Sequence, residues 1–153
     1  MLTYRVPQRK VQVVVHMTHG EPLIGHLFVP NEGPGGAAMR VSDRLTEPGD
    51  RFLALVQGDN SRLISRHMIL RVELLNEEDA DSELEPGAGE PVPATCHLAD
   101  GSEVEGTLSF AMPPGRERLI DYLNDRPDGF VPLRTGRTLS LVHLWQVVDW
   151  VTR

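Results

Sequence analysis

A chain of 153 residues, 40% hydrophobic and 24% charged, has globular composition, and its length admits one ordinary domain or two small ones. The formal net charge of −7 offers no basic surplus for a nucleic-acid-binding surface, and the single lysine among 15 basic residues points to a GC-rich bacterial genome. One cysteine excludes a disulfide framework, no apolar run reaches the roughly 18 residues needed to span a bilayer, and the opening "MLTYRVPQRK" does not read as a secretory leader, so a bacterial cytoplasmic protein with no membrane insertion is expected.

In chain order, the alternating Val11, Val13 and Val15 predict a strand with those valines inward. A turn at His19-Gly20-Glu21 leads to a second strand through Gly25. The loop "PNEGPGGAAM" precedes a short helix within "RVSDRLTEPGDRF" (Arg40 to Phe52), and Phe52 starts a third strand. "SRLISRHMILRVEL" (Ser61 to Leu74) closes this portion as two strands or one strongly bent.

The acidity lies in "NEEDADSELEPGAGEP", Asn76 to Pro91, which holds seven acids and no base. Without it, 15 acids face 15 bases. Like charges extend such a run, and it is expected to be a flexible linker over 76–90.

The pattern then begins again. "VQVVVHMTHGEPLIGHLFV" (Val11–Val29) and "VPATCHLADGSEVEGTLSF" (Val92–Phe110) align without a gap, with His16 on His97, Gly20 on Gly101 and Gly25 on Gly106. Asp100-Gly101 is a strong hairpin signal. In "RERLIDYLNDRPDGF" (Arg116 to Phe130), Asp121 stands nine residues before its Phe, as Asp43 does before Phe52. Leu119, Ile120 and Leu123 are predicted to share the buried face of this helix. "TLSLVHLWQVVDWV" (Thr138 to Val151) matches the first closing segment in character, to within about one residue of register. One unit of plan β-β-α-β-β(-β) is thus written twice, over 1–75 and 91–153.

The stretch "VxVxxxxGxxLxGxL" from Val11 to Leu27, with a closing strand in which Ile69 to Val72 forms an Ile-x-x-Val ending, resembles Sm-like barrels. Arg66-His67 stands where the bacterial Sm-like RNA chaperone has a Lys-His pair. The "RLIDYLND" element is similar to the "RLSDxLN" helix of a bacterial domain family of unknown function. The resemblance implies a mainly β fold of two tandem Sm-like small β-barrels, each with one short inserted helix. The Asp-x-Phe/Tyr-Met-Asn loop with which Sm proteins bind a base is absent, so RNA binding is not carried over; its candidate residues are Arg62, Arg66 and His67.

No catalytic or metal-binding pattern is expected to be used. His16, His19 and His26 are near one another in sequence, but zinc wants three or four ligands in tetrahedral array. Asp43 and Asp121 each lack a recurring base partner and are read as helix-end residues that bond a turn or an Arg. Cys96 takes the place of Val15 and reads as a small core residue. The segment around Trp145 and Trp150 reads as a strand buried on both faces, and Val14, Ile24 and Phe28 likewise demand a cover. These five residues are the candidate contacts of a non-catalytic interaction, scaffold or regulatory adaptor protein without cofactor, whose partner is another protein or a second copy. The alternatives are an Sm-like RNA binder and a binder of a small ligand between the repeats.

Overall fold

A computed structural model describes residues 7–31, 39–47, 49–84, 87–112, 115, 118–126 and 129–152. The fold is mainly β. Strands β1 (Gln8–Met17) and β2 (Leu23–Pro30) form a hairpin, helix α1 (Val41–Thr46) follows, and β3 (Phe52–Gln57) and β4 (Asn60–Ser65) form a second hairpin. A 3₁₀ turn at Arg66–Met68 leads into β5 (Ile69–Leu74). After helix α2 (Glu77–Ser82), the order is repeated: β6 (Val92–Leu98), β7 (Glu103–Leu108), α3 (Leu119–Asn124), β8 (Phe130–Thr135), β9 (Thr138–His143), a 3₁₀ turn at Leu144–Gln146, and β10 (Val147–Thr152).

All ten strands belong to one antiparallel sheet of order β10-β6-β7-β8-β9-β5-β1-β2-β3-β4. The sheet is not closed on itself: β10 and β4 are its ends. The two halves meet where β5 pairs with β9, with Arg71 opposite Val142, Val72 opposite Leu141, Glu73 opposite Ser140 and Leu74 opposite Leu139.

Local chemistry accounts for the hairpins. Val11, Val13 and Val15 are fully buried while Gln12 between them is exposed, the period-two pattern of a strand with one face on a core. The turns need Gly20 and Gly101, whose φ values of 87° and 89° suit a residue without Cβ. A different reason holds at Gly25 and Gly106. An added Cβ would lie 2.6 Å from the Val56 carbonyl oxygen in the first case and 2.3 Å from that of Arg134 in the second, so only glycine lets β2 and β7 approach β3 and β8 there.

The pairing registers of the halves match. Val15 faces Val72 as Cys96 faces Trp150, and Val13 faces Leu74 as Ala94 faces Thr152. The β1–β5 ladder is irregular between His16 and Met17, and the β6–β10 ladder between Val147 and Asp149, beside the corresponding pair.

Two apolar clusters form, and each takes residues from the other half. Phe130, Leu139 and Leu141 join the cluster built on β1, β2, α1 and β3, while Leu70 joins the one built on β6, β7, α3 and β8. Three expectations are corrected here. The strand buried on both faces is β9, wedged between β8 and β5, whereas the Trp145–Trp150 run supplies the open end of the sheet, with Trp145 exposed. On α3 the buried residue is Tyr122, stacked on Phe110, and Ile120 is exposed; Leu119 and Leu123 are partly buried against the cluster as expected. The acidic segment holds the helical turn Glu77–Ser82 instead of running extended throughout, because Asn76 caps it through Glu78 N (2.9 Å) and Ala80 packs into the first cluster.

Candidate interaction surfaces

The joint between the halves shows how the edges of this sheet are sealed. Leu70, the second residue of β5, is buried in the second cluster, and Leu141, the fourth of β9, in the first. At the joint a part-buried polar ladder crosses three strands. His16 Nε2 lies 3.1 Å from Glu73 Oε1, Arg71 Nη1 lies 3.5 Å from the same oxygen, and Arg71 Nη1 donates to Ser140 Oγ at 2.8 Å. Burial, followed by the Arg71 charge, holds the His16 imidazole below its ordinary value, although Glu73 opposes this. His143 Nδ1 bonds the Ile69 carbonyl at 2.9 Å, and Gln146 Nε2 donates to the His67 carbonyl.

The two ends of the sheet have the same strands without this cover. Among the described residues, β4 pairs only with β3 and β10 only with β6. Val148, the second residue of β10, is 70% exposed, and Leu63, the fourth of β4, is 69% exposed. Val151 on β10 and Met68 on the first 3₁₀ turn are exposed as well. Burial of such side chains is worth about 25 cal/mol per Å² of apolar surface removed from water.

Of the five apolar candidates, Val14 and Ile24 are brought together, facing each other across the β1–β2 ladder, with Val14 half-buried and Ile24 exposed. Phe28 is exposed further along β2, opposite Lys10. Trp145 stands exposed on the 3₁₀ turn, while Trp150 is half-buried against the second cluster and lies opposite Cys96. Leu63, Val148 and Val151 were not picked out. Consecutive apolar residues (Leu63-Ile64, Val147-Val148, Trp150-Val151) put one side chain on each face of a strand, but whether the second face is covered depends on the strand that arrives beside it.

The nucleic-acid candidates do not converge as free cations. Arg62 is exposed and its Nε donates to Gln57 Oε1 at 3.1 Å; Arg66 donates to the Glu47 carbonyl; His67 is exposed on the 3₁₀ turn.

Remaining polar groups have structural partners. Asp43 accepts from the Arg40 backbone N–H at 3.1 Å, and Asp121 pairs with Arg118 Nε at 3.1 Å. The buried Glu83 carboxylate accepts from the N–H groups of Val41 (2.8 Å) and Ser42 (2.9 Å), capping α1 from a distant part of the chain; burial pushes its pKa up while those bonds hold it down. His97 sits between Asp149 (Nδ1, 2.5 Å) and Glu103 (Nε2, 2.9 Å), and those two carboxylates raise its pKa. His19 is exposed at the β1–β2 turn, and His26 lies on β2 opposite Gln12. Among the described residues, no group of three or more His, Cys, Asp or Glu is placed to hold a metal ion. Cys96 is buried, and burial pushes its thiol up to about 11, so the nucleophilic thiolate is scarce at neutral pH.

A cavity of about 170 Å³ lies between the halves, lined by Arg40, Asp43 and Glu83 on one side and Tyr122, Arg126 and Phe130 on the other. Ligand sites usually offer about 300–1,000 Å³. Among the described residues no helix is long and apolar enough to cross a membrane. Comparison with protein families, with curated proteins and with solved structures finds no match to this chain.

Proposed function

We propose that the protein is a non-catalytic interaction module, a scaffold or regulatory adaptor, made of two copies of one Sm-like barrel module set side by side in a single sheet. It works without a cofactor, in a reducing cytoplasm, and binds protein through the free ends of the sheet. The supporting observation is the contrast between the joint and the ends. Strand positions that bury Leu70 and Leu141 at β5–β9 leave Val148 and Leu63 in water at β10 and β4. Unpaired backbone N–H and C=O groups beside apolar side chains are what an added strand recognises.

Affinity capture from the native organism tests this reading by comparing the wild type with a Leu63→Glu/Val148→Arg double variant. Polypeptides held by the wild type and lost by the variant support it, and identical sets contradict it. The RNA alternative rests on Arg62, Arg66 and His67 lying along β4 and the turn after it. RNA gel shifts near physiological salt are expected to be blank, because phosphate binding draws on clustered cations. Sub-micromolar binding lost on replacing Arg62 and Arg66 would establish that alternative instead.

A further inference from the structure

We propose that residues 76–84 form a releasable strap across the joint between the two halves. Docked, the strap caps α1 and closes one side of the cavity between the halves. Released, it loosens the first turn of α1 and opens that cavity while the sheet stays paired. This goes beyond partner binding at the sheet ends and uses neither end.

The strap is held at three separate points. Ala80 is fully buried in the first cluster, where α2 lies against the joint strands β5 and β9. Glu83, 2% exposed, reaches α1 and accepts from the Val41 and Ser42 N–H groups. Asp81 crosses to the second half, where Arg134 Nη2 on β8 donates to its Oδ1 at 3.1 Å. Around those points the strap faces water, with Glu77, Glu78 and Ser82 exposed.

That grip is light. One alanine methyl is a small apolar anchor, and an ion pair with a solvent-exposed member adds little. The Glu83 carboxylate gives up its water to make two bonds, so much of their strength offsets desolvation. A segment with few buried apolar contacts opens more readily than the sheet it lies on.

Release reaches beyond the strap because Glu83 serves two structures. A six-residue helix is far below the roughly 12–15 residues at which an isolated helix becomes marginal in water, so α1 depends on its docked contacts. Without Glu83 the N–H groups of its first turn lose their acceptor. Glu83 also lines the cavity of about 170 Å³, beside Arg40 and Asp43 and facing Tyr122, Arg126 and Phe130. Lifting the strap removes that wall and joins the cavity to solvent. An order–disorder change of one short segment thus alters the space between the halves without breaking the β5–β9 ladder.

The test is native-state amide exchange on the full chain, followed by NMR residue by residue at rising urea. The Ala80, Glu83 and Leu84 amides, bonded within the strap, and those of Val41 and Ser42 are expected to share one opening. Their protection should be about a hundredfold below that of amides bonded across β5 and β9. Ala80→Asp puts a charge where the buried methyl sits and should strip protection from all five while β5 and β9 keep theirs; circular dichroism checks that it folds. Arg134→Glu sets two acids face to face and should speed exchange in the strap several-fold, and adding Asp81→Arg should restore it. Strap amides as protected as the joint in the wild type overturn the proposal. So does an Ala80→Asp chain in which Val41 and Ser42 stay protected. Should that variant not fold, the charge exchange decides alone, and an Arg134→Glu chain with unchanged strap exchange overturns the proposal.

Discussion

Leu141 and Leu63 hold the same place, fourth in a six-residue strand that returns from a tight turn, yet Leu141 is fully buried and Leu63 is 69% exposed. The difference is made by the neighbour: β5 lies against β9, and no described strand lies against β4 on that side. Leu141→Ala should therefore destabilise dilute protein by about 2–5 kcal/mol, as buried leucine truncations do. Leu63→Ala should stay within about 0.5 kcal/mol of wild type. Urea denaturation at low concentration checks both, and equal losses would mean that the halves are not joined through β5 and β9.

Glu83 should matter more than its place in an acidic segment suggests. Replacement by Ala leaves the Val41 and Ser42 N–H groups without their acceptor and should cost about 1–3 kcal/mol. Glu83→Gln keeps one acceptor oxygen and should cost less. If the alanine variant melts like the wild type, the cap is dispensable.

Gly106→Ala puts a methyl carbon 2.3 Å from the Arg134 carbonyl oxygen, a backbone atom that cannot rotate away. Overpacking of this kind costs about 1–3 kcal/mol. A thermal midpoint unchanged from wild type would show that β7 and β8 are less closely set.

The two halves should respond oppositely to pH. In the folded chain His97 is raised above its ordinary value of 6.5 by Asp149 and Glu103, so the stability it confers is complete below pH about 6.5 and is lost as pH rises through the folded value. His16 is lowered by burial and by Arg71, so its contribution is complete above pH about 6.5 and falls as pH drops through the folded value. Thermal midpoints against pH should show His97→Asn losing most on the acidic side and His16→Asn losing least there. The reverse order would contradict the two assignments.

Legibility divides along physical lines. Alternation at Val11, Val13 and Val15, the turn at Asp100-Gly101 and the paired glycines are local signals, and the strands they imply are present. Sheet order is not local. Nothing within "TLSLVHLWQVVDWV" says that Leu139 and Leu141 pack into the other half's cluster while Val148 faces water; that depends on which strand arrives beside it. The same holds for Glu83, whose partners Val41 and Ser42 are reached only through the tertiary fold. On α3, Tyr122 takes the buried place that spacing assigned to Ile120, because its ring stacks on Phe110.

The account stands on the sheet ends being the surfaces that bind, and amide hydrogen exchange on the wild-type chain measures this most directly. When protein captured from the native organism is added, protection should grow in the segments holding Leu63 and Val148 and stay constant in β5 and β9, which are already paired. Protection at β4 and β10 that is unaltered by any captured protein would contradict it.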